Sequence, residues 1–242
     1  MSTDKLDLSL LPYDEWVAFF FDRPVMKEDE DDDDLFRPRP TPWDDYDIEL
    51  DIFTERPAVL VEHVRRLCLE FGTLPRTHSW SQIDQGVWGV LMLPCECSNH
   101  IVSDKVPLAL RLSCIQAMYH VFADAVATLP KGVPMETCFF MWWDIIAGAF
   151  FMEHGHWSHE VFHPEREDVR QVHDVILDTL VRILALEDRR CQGAALHGLG
   201  HLHHPQGAEI VQKFIDVHRA ELSDSDQARP PWLEACRDGT VM

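Results

Sequence analysis

Seven consecutive acidic residues, Glu28 to Asp34, limit how this chain can fold more than any other feature. From Met1 to Arg56 the chain has 18 Asp and Glu against 6 Lys and Arg, a net charge of −12 out of −21 for the whole chain. Like charges at this density repel one another and oppose compaction. The run is therefore predicted to lie in water, against a basic partner, or both.

An acidic surplus also runs through the whole chain and narrows the choice of partner. There are 42 Asp and Glu against 21 Lys and Arg. Phosphate groups are neutralised by Lys and Arg, so the surplus argues against direct binding of nucleic acid. An anionic membrane surface would repel the chain as well. The charge balance favours basic proteins, or cations, as partners, with no direct contact to nucleic acid or membrane.

The cysteines and the first residues predict a cytoplasmic location. Seven cysteines form an odd set without the compact spacing of a disulfide framework, which is typical of a reducing compartment. The start, MSTDKLD, lacks the basic stretch and apolar core of a secretory signal. The longest apolar run, from Cys138 to Met152, is shorter than a bilayer requires and contains Asp144, so it indicates a buried core helix.

Helical periodicity begins after Pro57 and continues towards the C-terminus. Apolar residues recur at spacings of three and four, as Val61, Val64 and Phe71 illustrate. The sequence therefore predicts an all-α fold, an antiparallel multi-helix bundle whose central helix is 136–152. The predicted helices cover 14–22, 57–72, 81–92 (with Ser81 as the N-cap), 107–129, 136–152, 164–186, 189–203, 207–221 and 230–237.

The first 56 residues are predicted to form an N-terminal helix and an acidic arm packed on the same domain. The arm covers 23–52, and the α-helical domain covers 57–242. Alternating prolines from Pro38 to Pro42 favour an extended chain. Trp43 to Asp51 alternates apolar and acidic residues, which predicts a brief strand or an extended arm.

The C-terminal helical hairpin, at about 189–219, carries a family resemblance. Residues 191–202 read CQGAALHGLGHL, and Pro205 and AEIVQKFI at 208–215 follow. This stretch resembles a HEAT-type α-helical repeat, which stacks helix hairpins and has small residues and an A-L-x-x-L-G-x-L core on its first helix. No second copy is visible in the sequence. The resemblance implies a HEAT-like scaffold for protein binding and implies no activity.

Two histidines on the first helix of this hairpin have the spacing of metal ligands. His197 and His201 stand at i and i+4, so their imidazoles can share one metal, and His204 follows at i+7 on the same side. The metalloprotease pattern needs Glu after the first histidine, where Gly198 stands here. Deoxyhypusine hydroxylase, an iron enzyme of HEAT type, uses His-Glu pairs, so that activity does not carry over. Polar packing near the helix end is the alternative.

A second histidine group and a cysteine group also have ligand chemistry. Four histidines lie within ten residues among Glu153 and Glu160, and zinc or iron accepts such ligands, although the segment also fits a polar loop. Cys95, Cys97 and His100 could supply three zinc ligands, with a fourth from a distant residue such as Cys114. The four histidines are His154, His156, His159 and His163.

Asp144 is the acidic residue in the middle of the predicted central helix, which begins at Glu136. A carboxylate among Trp142, Trp143 and Ile145 must be paired, protonated or directed to a polar cavity, because burial of an isolated charge is prohibitive. Its function could be that of a pocket acid or base. The alternative is a structural pair with an arginine such as Arg111, or with an indole N–H.

A charge run is most often a solvated loop, but this acidic arm also carries aromatic residues, which argue for binding. Aromatic anchors in a negative field are what a binder of a basic protein presents. A solvated loop is the alternative. The predicted partner-binding residues are Asp31, Asp32, Asp33, Asp34, Trp43, Asp44, Asp45, Tyr46, Asp47, Glu49 and Asp51.

These features predict a non-enzymatic interaction protein without a cofactor. Its partner would be a basic protein, for example a toxin or nuclease that it neutralises as immunity proteins and inhibitors do, with spaced carboxylates in place of nucleic-acid phosphates. The alternative is a zinc- or iron-dependent hydrolase or oxygenase that uses His154, His156 and His159 or His197 and His201. A structural subunit of a larger assembly is the second alternative.

Overall fold

The computed structural model describes residues 4–25, 50–92, 95–156, 160–218 and 230–241. In these ranges the chain is mainly helical, which confirms the all-α class. The described helices are α1 Tyr13–Phe21, α2 Pro57–Glu70, α3 Trp80–Leu91, α4 Cys97–Val102, α5 Leu108–Asp124, α6 Thr137–His154, α7 Glu167–Leu184, α8 Arg189–Leu202, α9 Gly207–His218 and α10 Pro230–Asp238. None of these helices has both the length and the apolar character of a membrane span.

Two short strands form a parallel pair at the N-terminal side. Strand β1, Asp4–Asp7, pairs with β2, Leu50–Phe53, in the register Asp4 to Leu50 and Asp7 to Phe53. The predicted brief strand overlaps β2 at Leu50 and Asp51. The sequence interpretation missed β1, because its pairing partner lies more than forty residues away and leaves no local pattern.

The start of α3 corrects the predicted N-cap. Ser79 caps this helix, and Ser81 lies inside its first turn. The Ser79 hydroxyl accepts a hydrogen bond from the Gln82 backbone N–H at 3.3 Å, and the Gln82 side chain accepts one from the Ser79 N–H at 3.1 Å. This reciprocal capping box satisfies two of the donors that a helix start leaves unpaired.

The helix at α6 supplies the largest part of the aromatic core. Phe139, Trp142, Trp143 and Phe150 are completely or almost completely buried. Trp142 and Trp143 both contact the ring of Phe122 on α5, at centroid distances of 6.3 Å. Gly148 and Met152 are exposed, so one side of this helix faces solvent although its sequence is apolar nearly all round.

The order of contacts along α7 and α8 shows that these consecutive helices are antiparallel. His173 near the start of α7 meets Leu202 at the end of α8, with 2.9 Å from Nε2 to the carbonyl oxygen. Leu180, further along α7, lies against Gly198, earlier on α8. Rising numbers on one helix therefore face falling numbers on the other.

Helices α6 and α8, by contrast, run in the same direction. Phe140 stacks on His197 at a centroid distance of 4.3 Å, and Asp144 lies beside His201 one turn further along both helices. Helix α6 also packs against α3 and α4, while α5 packs against α2 and α7. Helix α7, which lies between α6 and α8 in the chain, packs on α5 and on α8.

Arg190 and Asp188 fix the start of α8. The Asp188 carboxylate caps this helix, because its Oδ1 accepts hydrogen bonds from the backbone N–H groups of Arg190 at 2.9 Å and Cys191 at 3.2 Å. The Arg190 guanidinium donates to the carbonyl oxygens of Leu129 at 2.9 Å and Val133 at 3.0 Å. These bonds tie α8 to the segment that follows α5 and so hold the histidine-bearing helix in place.

Candidate functional site

The N-terminal anchor of the acidic segment is a set of hydrogen bonds to α3. Gln82 Nε2 donates to the Arg23 carbonyl at 3.2 Å, and Gln85 Nε2 donates to the Pro24 carbonyl at 3.2 Å. Arg23 Nε donates in turn to the Phe19 carbonyl at 2.9 Å. Gln85 is buried, so the chain is fixed to the helical body up to the point where the acidic segment begins.

The C-terminal anchor is the strand pair together with a buried carboxylate. Oδ1 of Asp7 accepts hydrogen bonds from the Ser9 backbone N–H at 2.9 Å, the Ser9 hydroxyl at 2.7 Å and the Glu55 N–H at 3.3 Å. Burial alone would raise the pKa of Asp7, but these bonds hold it below its usual value. Residues 26–49 therefore connect two points that are both fixed to the folded body.

Most of the predicted partner-binding residues lie outside the part of the chain that the structure describes. Asp51 is the exception, in β2, where its backbone pairs in register with Lys5. The others are Asp31, Asp32, Asp33, Asp34, Trp43, Asp44, Asp45, Tyr46, Asp47 and Glu49.

A cluster of chemically active side chains lies between α6 and α8. The Nε2 atoms of His197 and His201 are 3.2 Å apart, and Nδ1 of His201 is 3.4 Å from Oδ1 of Asp144. His197 is 1% exposed, whereas the side chains of His201 and Asp144 are 24% and 33% exposed. The cluster therefore runs from a buried imidazole to a carboxylate at the surface.

Burial controls the protonation of His197. Desolvation of the ring, and then the nearby His201, lower its pKa to about 4, against a smaller opposing effect of the Phe140 carbonyl. His197 is thus neutral at neutral pH. Its Nδ1 atom is buried and makes no hydrogen bond with the residues that the structure describes.

Asp144 has a different partner from the arginine that the sequence suggested. It pairs with His201, while Arg111 lies 3.5 Å from Asp104 and 3.9 Å from Asp168. Arg111 is buried and Asp144 is partly exposed, so the carboxylate needs no deep ion pair. Of the three states that the sequence allowed for Asp144, the structure shows a paired carboxylate, and the choice of Arg111 as its partner is wrong.

The predicted third member of the histidine face, His204, points elsewhere. Helix α8 ends at Leu202, and His203 adopts a left-handed backbone conformation with φ of 47°. His204 is therefore turned away from the helix face, and its Nε2 lies 3.1 Å from Oδ1 of Asp174. The i+7 spacing fails because the helix stops before it.

Within the described residues, His154 and His156 do not join His197 and His201 in a group that could hold a metal. His156 Nε2 lies 3.1 Å from the Glu160 carbonyl oxygen, and its ring centroid is 6.4 Å from that of His203. Nε2 of His154 is buried and makes no hydrogen bond within the described ranges, and burial lowers the pKa of this histidine. His159 lies outside the described residues.

His173 is a buried histidine that the sequence interpretation passed over. It stacks on Phe150 at a centroid distance of 5.2 Å, lies 4.5 Å from the ring of His204, and is 1% exposed. Burial lowers its pKa to about 4. The sequence could have indicated this burial, because His173 follows Val172 in the apolar stripe of α7.

The cysteine group is only partly assembled. Sγ of Cys95 lies 2.9 Å from Sγ of Cys97, and both thiols are buried. Burial raises the pKa of Cys97 well above its usual value. Over the described ranges, no three His, Cys, Asp or Glu side chains are arranged to hold a metal, so the predicted Cys95, Cys97 and His100 zinc group is not formed there.

Comparisons of the chain with protein-family models, curated proteins and solved structures find no match. The chemistry of the candidate site therefore follows from its own residues.

Proposed function

We propose that this protein is a helical scaffold that binds a basic protein through its acidic segment, 26–51. The observation that carries the proposal is the net charge of −9 on residues 26–51, which hold 12 Asp and Glu against 3 Lys and Arg, together with the anchoring of both ends of this segment by Gln82, Gln85 and the strand pair. A dense negative field attracts a cationic surface and speeds encounter with it.

The two anchors favour binding by limiting its entropic cost. In general, a chain that is joined to a folded body at both ends has less conformational freedom than a free tail of the same length, which lowers the entropic cost of holding it against a partner. Trp43 and Tyr46 lie among the carboxylates and can supply the buried contact that charge alone does not. The partner is a toxin, a nuclease or another protein with a phosphate-binding surface, which spaced carboxylates can occupy.

The directions of the helices that pack on α8 support the scaffold part of the proposal. Parallel packing of α6 and α8, with α7 antiparallel to α8, is the arrangement that stacked helix hairpins produce. The HEAT-like resemblance at 189–219 has the same implication. Such scaffolds present extended surfaces to protein partners.

The test compares two triple charge reversals that change the net charge equally. One variant carries Asp44→Lys, Asp45→Lys and Asp47→Lys in the acidic segment. The matched control carries Glu165→Lys, Asp178→Lys and Glu187→Lys, all exposed on the helical body. The partner is first captured from the native host with the wild-type protein and then purified, and affinities are measured over a range of salt concentrations.

The expected result is a loss of affinity of at least about tenfold for the segment variant, with a weaker dependence on salt than in the wild type. The control should lose much less. Equal losses in both variants, or a wild-type affinity that salt does not change, would show that the acidic segment is not the binding surface.

A further inference from the structure

We propose that His197 and His201 bind one divalent transition-metal ion of the imidazole-preferring class, such as Zn²⁺, through their Nε2 atoms. This inference goes beyond the proposed function and concerns a different part of the molecule. It rests on the distance between the two nitrogens, the position of Asp144 and the pairing of the ring protons.

The separation of the two nitrogens matches the bite of a metal ion. Zinc–nitrogen bonds are about 2.0–2.1 Å long, so two of them span 3.2 Å when the angle at the metal is about 100°, close to tetrahedral. Two histidines at i and i+4 on one helix are a recurrent source of such a pair. Their places on α8 are already fixed by the Asp188 cap and by Arg190.

Asp144 lies where the supporting carboxylate of a metal-bound histidine is expected. It approaches Nδ1 of His201, the ring nitrogen opposite the one that faces His197. Asp144 therefore does not compete for the metal position. A carboxylate on the outer nitrogen fixes the tautomer and the orientation of the ring and makes the inner nitrogen a better ligand.

Without a metal between the two histidines, the hydrogen bonds of their rings leave one buried nitrogen of His197 without a partner in the described residues. If Nδ1–H of neutral His201 faces Asp144, then Nε2 of His201 is an acceptor and His197 must donate from its own Nε2. Nδ1 of His197 is then a bare lone pair, buried and without a hydrogen bond. A metal between the two Nε2 atoms would reverse this tautomer and place the hydrogen of His197 on Nδ1.

Space on either side of the pair leaves the remaining coordination positions open. A Cβ added at Gly193, one turn before His197, or at Gly148, one turn after Asp144, would meet nothing within 4 Å. His201 is itself partly exposed. The described residues supply two protein ligands, so water or groups of a bound molecule would fill two positions, one more than in catalytic zinc sites with three protein ligands.

The experiment uses the tag-free full chain after removal of bound metal with a chelator. Calorimetry with Zn²⁺ measures stoichiometry and affinity, and Co²⁺ absorption distinguishes nitrogen from thiolate ligands. The variants are His201→Gln and Asp144→Asn, with His120→Gln as an exposed-histidine control. Cys95→Ser is included because its thiol lies beside that of Cys97.

The expected result is one bound ion in the wild type without thiolate-to-cobalt charge-transfer bands, unchanged in His120→Gln and Cys95→Ser. His201→Gln should lose this ion, and Asp144→Asn should bind it about 10- to 100-fold more weakly, as loss of an outer-shell partner does. No binding by the folded wild type, equal binding by His201→Gln, or loss of binding in Cys95→Ser would overturn the proposal. Each of these outcomes leaves the charge-reversal test of the acidic segment unaffected.

Discussion

Two glycines on α8 should respond in opposite ways to the same substitution. A Cβ at Gly198 would lie 2.5 Å from Cβ of Trp143 and 2.8 Å from Cδ2 of Leu180, closer than real contacts allow. A Cβ at Gly193 would meet nothing within 4 Å. Gly198→Ala and Gly193→Ala thus differ in tertiary packing while they share the change in helix propensity.

The magnitudes follow from these two contributions. Alanine in place of glycine inside a helix stabilises by roughly 0.5–1 kcal/mol, and for Gly193→Ala this is the whole effect. At Gly198 the overpacking penalty of about 1–3 kcal/mol applies as well. Since Cβ of Trp143 cannot rotate away, α6 and α8 must separate, and we expect a net destabilisation of roughly 1–2 kcal/mol.

Urea unfolding followed by far-ultraviolet circular dichroism measures both variants against the wild type. The midpoint should rise for Gly193→Ala and fall for Gly198→Ala, with similar denaturant slopes. If Gly198→Ala were as stable as Gly193→Ala, Trp143 would not lie over Gly198. The parallel packing of α6 on α8, and with it the position of Asp144 beside His201, would then be wrong.

Two further predictions concern buried titratable groups. His173 has a pKa of about 4 in the folded state, against about 6.5 in the unfolded chain. Below pH 6.5 the unfolded chain therefore binds a proton that the folded protein does not. The free energy of unfolding falls as the pH drops from 6.5 towards 4, by up to about 3 kcal/mol. Urea unfolding at several pH values should show that loss in the wild type and a flatter profile in His173→Gln; parallel profiles would contradict it. All seven cysteines are buried free thiols, so a thiol reagent should modify them slowly in the native protein and count seven in denaturant, and rapid native labelling would disprove their burial.

Local periodicity predicted most helices because each of them buries one apolar stripe. Helix ends were less accurate where tertiary contacts decide them. Ser79 and Ser81 are both followed three residues later by a capping side chain, Gln82 and Asp84. Asp84 is buried and accepts a hydrogen bond from the Cys138 N–H at 3.0 Å, so it caps α6 instead. The two residues of this contact are 54 positions apart, so a local sequence pattern cannot predict it.

In the candidate site, too, the local spacing of residues was predictable from the sequence and their tertiary contacts were not. The i, i+4 spacing of His197 and His201 is a property of α8 alone, and the sequence reveals it. Asp144 and Phe140 reach them only because α6 and α8 run in the same direction, which no local pattern encodes. His204 does not share the face of His197 and His201 because the chain turns at His203, which has a left-handed backbone conformation. Such a turn is usually made by glycine or asparagine, so the histidine at this position gave no sign of it in the sequence.

The acidic segment and the histidine pair are held on one continuous frame, and this determines how each can be tested. Phe21 of α1 packs so closely on α3 that a Cβ at Gly86 would lie 2.5 Å from its ring. Helix α3 caps α6 through Asp84, and α6 carries Asp144.

Removal of residues 1–56 would take Trp16, Phe20 and Phe21 out of the core and expose apolar surface, at a cost of about 3–5 kcal/mol for each aromatic side chain lost. A truncated protein that failed to bind its partner or a metal would therefore report unfolding, whereas charge reversal in the segment changes the field and leaves these aromatic contacts in place.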